Sequence, residues 1–356
     1  MAAYKDDKGK WFVSFRYTNW QGNRPKKMKR GFNTKRDALK WEREFLEHKN
    51  ADLDMSFATF VSIYKKDMQG RIKLNTWLTK ERIIENKILP YFGKKKMSEV
   101  LPKDIIQWQN EIIAYRNEEG QPYAQTYLKT IHNQLSAIFN HAVRFYDLKS
   151  NPAAKAGHMG KKESKEMSFW TKDEYIKFAE SMMDKPISFY AYEMLYWCGI
   201  RLGELLALTP ADFNFDKGIV RITKSYQRLQ GNDVITEPKT PKSNRIIKMP
   251  EFLVQEMQEY LTLLYKYEST DRIFPISKSY MHHEMDRGSK EQNIQRIRVH
   301  DLRPSHVSLL IDMGFSAIAI ADRVGHESID ITFRYAHLFP SRQKEMADRL
   351  DIERSK

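Results

Sequence analysis

After the dipeptide Asn151-Pro152 the chain offers almost nothing to bury for some fifteen residues. Lys155, Gly157, Gly160, Lys161, Lys162, Ser164 and Lys165 follow one another with hardly an apolar residue between them. Such a stretch cannot cross a hydrophobic core, so residues 149–168 read as an exposed basic linker between separately packed parts. Thr171-Lys172-Asp173-Glu174 then has the spacing of a helix capping box, so a new helix and a new domain start at about residue 169. A length of 356 residues likewise favours two or three domains over one.

The part before the linker divides again. In residues 1–50, Trp11, Val13, Phe15 and Tyr17 alternate with Phe12, Ser14 and Arg16, the period-two pattern of a strand. Asn19 to Asn23 supply a turn, and Arg24 to Phe32 form a basic second strand carrying Lys26, Lys27, Lys29 and Arg30. A short strand near Ala2–Lys5, with a turn at Asp6 to Gly9, makes a third. Thr34 suits a helix cap, and Ala38, Trp41, Phe45 and Leu46 give the helical stripe behind the sheet. Residues 55–148 read as all-helical. Phe57, Phe60, Val61 and Tyr64 share one face, as do Leu128, Ile131, Leu135, Ile138, Phe139, Ala142 and Val143; Pro90 and Pro102 punctuate the region.

Lys and Arg exceed Asp and Glu by 14 over the whole chain. Residues 1–50 alone hold 14 Lys and Arg against 6 Asp and Glu, so a small part of the chain carries over half of the surplus. A concentrated positive field fits a polyanion such as nucleic acid, and a small basic sheet backed by a helix is one way to read a major groove. Arg16, Arg24, Lys26, Lys27, Lys29 and Arg30 are the candidate DNA contacts; the plainer reading is a solvated basic surface. Cys198 is the only cysteine, which excludes an intrachain disulfide and a cysteine zinc site and fits a reducing, cytoplasmic setting. The start has no apolar run for a signal peptide, and no stretch approaches the length of a membrane span.

Residues 169–356 read as mainly helical with one strand-rich insertion, in which Ile219–Ile222 and Arg245–Met249 are strands on either side of Gly231-Asn232-Asp233. Four short stretches there carry chemistry. In Cys198-Gly199-Ile200-Arg201-Leu202-Gly203-Glu204-Leu205, an arginine enters an otherwise apolar helix start and needs an anionic partner. Glu204 could be that partner, in which case the pair is merely structural. Pro238-Lys239-Thr240-Pro241-Lys242 places two lysines where a hairpin could present them to a phosphate, or simply to water. His300-Asp301-Leu302-Arg303 puts a histidine and an arginine three apart on one helical face, with His306 three further on. Gly325-His326-Glu327-Ser328-Ile329 brings another histidine, and Tyr335 follows nine residues after it. His282-His283-Glu284 could begin a metal site but has no third ligand in view.

Taken in this order, the four stretches resemble the tyrosine recombinases, in particular the integrases of phages and conjugative transposons. The resemblance implies a catalytic set of Arg201, Lys239, His300, Arg303, His326 and Tyr335, with Lys242 the alternative to Lys239. Pro304 stands where many members have a polar residue. The resemblance is most specific over residues 170–340. It implies a multidomain fold: a small N-terminal β-sheet plus helix that binds arm-type DNA sites (1–50), an all-α, SAM-like core-binding domain (55–148), and a mainly α catalytic domain with a small β-sheet and a C-terminal tail (169–356). It also implies double-stranded DNA as partner at crossover and arm-type sites, a homotetramer in the synaptic complex, an excisionase or host DNA-bending protein as accessory, and a bacterial, nucleoid-associated location.

The residue types suit the reaction. Attack on a phosphodiester builds negative charge on its non-bridging oxygens, and two guanidinium groups can clamp those oxygens with paired hydrogen bonds. That work needs no metal, cofactor or ATP, and the chain lacks a Gly-x-x-x-x-Gly-Lys-Ser/Thr phosphate loop. A tyrosine with an ordinary pKa of roughly 10 needs a proton acceptor, and a lysine can protonate the leaving 5′ oxygen. The resemblance implies a 3′-phosphotyrosyl intermediate. The rival within enzymes is a type IB topoisomerase, which uses the same nucleophile without exchanging strands; the basic N-terminal module and the tail beyond Tyr335 weigh against it. A non-catalytic DNA-binding regulator would not need all of the acting residues.

Overall fold

The alternation along Trp11–Tyr17 becomes the central strand of a three-stranded antiparallel sheet. β1 (Ala3–Lys5), β2 (Trp11–Arg16) and β3 (Lys26–Phe32) pair in that order, with Ala3 opposite Val13 and Arg16 opposite Lys26. The computed structural model describes residues 3–7, 9–17, 24–49, 53–161, 168–237, 241–329, 332 and 350–354, and the chain divides into two units, Met1–Ser164 and Lys165–Lys356. The turn expected at Asn19 to Asn23 lies outside the described residues, whereas the one at Asp6 to Gly9 is closed by the Asp6 amide donating to the Lys10 carbonyl at 2.8 Å and the Gly9 amide donating to the Asp6 carbonyl at 3.0 Å. At the start of β2 the register slips so that Trp11 faces Phe32 and Phe12 faces Arg30. Gly31 is the extra residue of this bulge, at φ +95, where a side chain would be strained.

Thr34 caps α1 (Lys35–Lys49) as expected, its hydroxyl accepting from the Asp37 amide at 3.1 Å. Ala38, Trp41 and Phe45 then meet the sheet: Val13 and Ala38 are fully buried, and Phe15 lies 5.5 Å from Phe45 and 6.4 Å from Trp41. The Leu46 side chain lies outside the described residues.

The helical part comprises α2 (Phe57–Met68), α3 (Leu74–Ile83), α4 (Leu89–Phe92), α5 (Pro102–Ala114), α6 (Gln125–Phe145) and α7 (Pro152–Ala156). Between α3 and α4 the helix widens to π geometry over Ile84–Ile88. Pro90 follows directly; it lacks an N–H and its ring would collide with the carbonyl four residues back, so a wider turn relieves the helix without ending it. The predicted stripes form the core, with Phe57, Phe60, Ile131, Leu135, Ile138 and Phe139 fully buried. Each such side chain contributes on the order of 1.5–3 kcal/mol by leaving water. Val143 falls off the stripe and is exposed.

The reading of residues 149–168 as one exposed linker needs correction. The Asn151 side chain accepts from the amides of Ala153 and Ala154 at 2.8 and 3.1 Å and so caps α7, whose Pro152 and Ala153 are buried. Met159 joins the same core, the Gln109 side chain donates to the Gly157 carbonyl at 2.8 Å, and Gly160 runs so close to α6 that a Cβ there would stand 2.2 Å from the Gln125 carbonyl. A few well-placed apolar anchors hold this stretch although their spacing has no periodicity.

The second unit begins with the predicted capping box: the Thr171 hydroxyl and the Glu174 carboxylate bond each other's amides at the start of α8 (Lys172–Glu180). α9 (Pro186–Cys198) is buried along most of its length. α10 (Leu202–Leu205) leads into a three-stranded antiparallel sheet of β4 (Phe213–Asn214), β5 (Ile219–Ile222) and β8 (Arg245–Lys248), in the order β4-β5-β8. β6 (Ser225–Leu229) and β7 (Asn232–Thr236) make a separate hairpin between β5 and β8. The sequence reading foresaw β5 and β8 but not this hairpin; its turn residues Gln230 and Gly231 both have positive φ, as a tight hairpin requires. α11 (Glu251–Leu263), α12 (Lys278–Glu291), α13 (Leu302–Asp312) and α14 (Ala317–Val324) complete the unit. Trp170, Phe178, Tyr192, Tyr196 and Phe274 fill its core. Among the described residues no helix is long and apolar enough to cross a membrane.

Candidate active site

α9 ends at Cys198, and Gly199 turns the chain in the left-handed region at φ 60. Only glycine fits there twice over, since a Cβ would stand 2.5 Å from the imidazole of His306. The turn delivers Arg201 to the N-terminus of α10. Its amide donates to Glu204 Oε2 at 3.0 Å and its guanidinium to Glu204 Oε1 at 2.7 Å. The Arg201 side chain is 38% exposed and that of Glu204 only 3%. Glu204 also accepts from Arg245 of β8 at 2.8 Å. Burial alone would raise the Glu204 pKa, but the hydrogen bond and charge of Arg245, together with Arg201, hold it below the ordinary carboxylate value.

Arg303 approaches from α13 and is buried. It donates to the Gly199 carbonyl at 2.7 Å and to the Val324 carbonyl. Arg201 reaches the next carbonyl, that of Gly325, at 3.5 Å. The two arginines thus converge on consecutive carbonyls of one turn. That turn is the end of α14, where Gly325 is left-handed at φ 68 and His326 follows, its Nδ1 2.7 Å from the Thr332 hydroxyl. His300 stands beside this pair. Partial burial, then the positive charges of Arg303, Arg201 and Arg298, lower its pKa against the opposing pull of Asp301, so the ring is neutral near neutral pH. Asp301 in turn is held by Arg298 through two bonds of 2.9 and 2.8 Å.

Behind these groups Arg323 donates to His306 Nε2 at 3.1 Å, to the Trp197 carbonyl at 3.1 Å and to the Lys248 carbonyl at 3.0 Å. Full burial, with Arg323 and Arg303 nearby, pushes the His306 pKa down to about 3, so it acts as a neutral acceptor. A cleft of 440 Å³ lined by Lys242, Arg245, Gly325, His326 and Ile329 opens beside the turn. Lys242 donates to the Glu327 carbonyl at 3.2 Å, which places it near His326. Lys239 and Tyr335 lie outside the described residues.

The structure therefore brings together Arg201, His300, Arg303 and His326 from three separate stretches. Sequence reasoning missed Arg245 and Arg323 as parts of the site. The only signal was that each is a charged residue beside an apolar run, and a surface strand or helix gives the same signal. The metal reading of His282-His283-Glu284 finds no support: Glu284 is taken by Lys185 at 2.7 Å and Arg287 at 2.8 Å, and no metal-binding cluster occurs among the described residues.

The six N-terminal cations fall on different faces. Arg16, Lys26 and Arg30 lie on the open face of the sheet with Tyr4 and Phe12, where the Arg30 guanidinium sits 5.2 Å from the Phe12 ring. Lys27 and Lys29 lie on the helix side, over Phe45 at 5.6 Å and Trp41 at 5.3 Å. Arg24 precedes β3 and its carbonyl accepts from Arg16 at 3.3 Å.

Fold and site together define a tyrosine-type site-specific recombinase, and the chain belongs to the phage integrase family. The model of that family matches residues 169–342, that of the phage integrase N-terminal SAM-like domain residues 56–113, and that of the arm DNA-binding domain residues 2–48. Among relatives, the chain is 31% identical to the ICEBs1 integrase of Bacillus subtilis over 343 residues, covering 90% of each chain. Among solved structures it is similar to the Tn1549 transposon integrase in complex with a circular intermediate DNA (TM-score 0.65, 20% identity, 83% of this chain and 99% of that one). It is also similar to the lambda integrase tetramer bound to a Holliday junction (TM-score 0.61, 18% identity, 94% of each). These likenesses support an integrase and give none to the topoisomerase alternative.

Proposed function

We propose that Arg201, His300, Arg303 and His326, with Lys239 and Tyr335, form the catalytic set through which this integrase cuts and rejoins DNA. The observation that carries this reading is the convergence of Arg201 and Arg303 on the carbonyls of Val324 and Gly325, one step before His326. A scissile phosphate beside that turn has two guanidinium groups and an imidazole directed at its non-bridging oxygens, and their hydrogen bonds strengthen as the pentacoordinate transition state gains charge. Neutral His300 takes the proton of Tyr335. The phenolate attacks phosphorus, Lys239 protonates the departing 5′ oxygen, and a 3′-phosphotyrosyl ester remains. That ester keeps the energy of the broken bond, so a second 5′ hydroxyl reverses the step without ATP.

Partners follow the same reading. The open, basic face of the N-terminal sheet binds arm-type DNA sites, and residues 55–356 hold the crossover site. The lambda integrase tetramer on a Holliday junction supports a homotetramer on two duplexes for this chain as well. An excisionase or host DNA-bending protein is the accessory partner that fits this reading. The protein acts in the bacterial cytoplasm on the nucleoid. The test is covalent trapping on a nicked suicide duplex. Wild-type protein gives a protein–DNA adduct, and Tyr335→Phe binds the same DNA with unchanged affinity and gives none; an adduct formed by another tyrosine would remove Tyr335 from its role.

A further inference from the structure

We infer that Arg245 is a positioning residue for the reaction: it fixes Glu204, and through Glu204 the guanidinium of Arg201, while tying both to the turn that carries His326. The inference rests on the assignment of Arg201 to the phosphate clamp.

The contacts divide the work between the two arginines. The Arg201 side chain is 38% exposed and is the one of the two open to a phosphate; the Arg245 side chain is 5% exposed and its guanidinium is committed to acceptors within the protein. Arg245 instead spends its planar fork on three acceptors from three elements: Glu204 Oε2 at 2.8 Å on α10, the Ser243 carbonyl at 3.1 Å at the end of the lysine-bearing loop, and the Arg323 carbonyl at 3.2 Å on α14. Its contact and the Arg201 amide pin one oxygen of Glu204, so the other oxygen presents itself to the Arg201 guanidinium in a single orientation. Gly325 keeps the arrangement close, because a Cβ there would stand 2.9 Å from Arg245 Cδ.

Stability alone is a poor reason for such a group. A buried ion pair such as Glu204 with Arg245 carries a heavy desolvation cost, and well-packed apolar residues often serve a fold as well or better. What apolar residues cannot do is aim a carboxylate. A lysine cannot do it either, since a single ammonium does not reach three acceptors in fixed directions.

The experiment uses the full-length protein in single-turnover cleavage of a nicked duplex taken from the junction that the wild-type protein makes in cells. One duplex carries the natural scissile phosphodiester. The other carries a methylphosphonate there, which has no negative non-bridging oxygen and so needs the arginine clamp less. Arg245→Gln and Arg245→Lys are expected to cleave the phosphodiester at least about tenfold more slowly than wild type, with DNA affinity within about twofold. Their deficit on the methylphosphonate should shrink to under about threefold, because a defect in aiming Arg201 matters only where charge must be met. Should Arg245→Gln fail to fold, the pair Arg245→Met with Glu204→Gln removes the unpaired buried carboxylate and carries the same comparison. Equal deficits on both substrates, or phosphodiester cleavage within about threefold of wild type, would overturn the inference. Arg201→Ala is measured alongside. If it cleaves normally, the clamp assignment itself fails; if it is inactive while the Arg245 variants are not, only the present inference fails.

Discussion

His300 is partly buried and surrounded by positive charge, and the two together fix when it can work. Burial first, then the charges of Arg303, Arg201 and Arg298, disfavours a second proton on its ring, and Asp301, which pulls the other way, is itself occupied by Arg298. In the proposed mechanism the neutral ring is the proton acceptor, so cleavage should be lost as pH falls through a pKa lying below the ordinary 6.5 of histidine. Single-turnover rates should therefore stay flat on going from neutral pH down past the usual histidine range before they fall. His300→Gln should cleave slowly and lose that acid limb; a limb kept unchanged in His300→Gln would assign it to another group. At this scale the site was partly legible. Arg201, His300, Arg303 and His326 stand in short stretches whose residue order points to one chemistry. Arg245 and Arg323 did not show, because a buried, multiply bonded arginine looks in sequence like any cation on a strand or helix; only its partners, up to 126 residues away, distinguish it.

Elements explain what the charge count could not. The surplus in residues 1–50 pointed to one basic surface, but the pleat divides it. Lys27 and Lys29 cover the aromatic side chains of α1, where their stems shield apolar surface, while Arg16, Lys26 and Arg30 share the open face. Lys26→Ala and Arg30→Ala should each weaken binding of the full-length protein to arm-site DNA, and each should lower the salt slope of log Kd by about 1. Lys27→Ala and Lys29→Ala should leave that slope nearly unchanged and instead lower the melting temperature slightly. Equal loss of slope in all four variants, read by fluorescence anisotropy across a salt series, would mean that both faces meet phosphate. The elements that hid from sequence share a cause. The β6–β7 hairpin has too polar an alternation to stand out, and α7 rests on three isolated anchors, Pro152, Ala153 and Met159, rather than on a repeating stripe. Where periodicity is strong, as in α6, the buried face was readable almost residue by residue.

At the scale of the whole molecule, the proposed coupling of cutting to assembly runs through the end of the chain. Residues 350–354 are helical in the described structure, with Leu350 and Ile352 exposed at 70% and 61%. A short helix is marginal in water without an apolar partner. We propose that this one docks onto a neighbouring subunit; because the helix follows Tyr335 in the chain, such docking would couple the position of the proposed nucleophile to the presence of that neighbour. Truncation after Pro340 should leave binding to a single crossover site within about twofold of wild type, while removing tetrameric complexes on paired sites and strand exchange between them. Gel-shift analysis of single- and paired-site complexes, run beside a two-site recombination assay, reads both quantities. If the truncated protein still joins two sites at the wild-type rate, the tail packs within its own subunit and control of Tyr335 resides in another part of the catalytic unit.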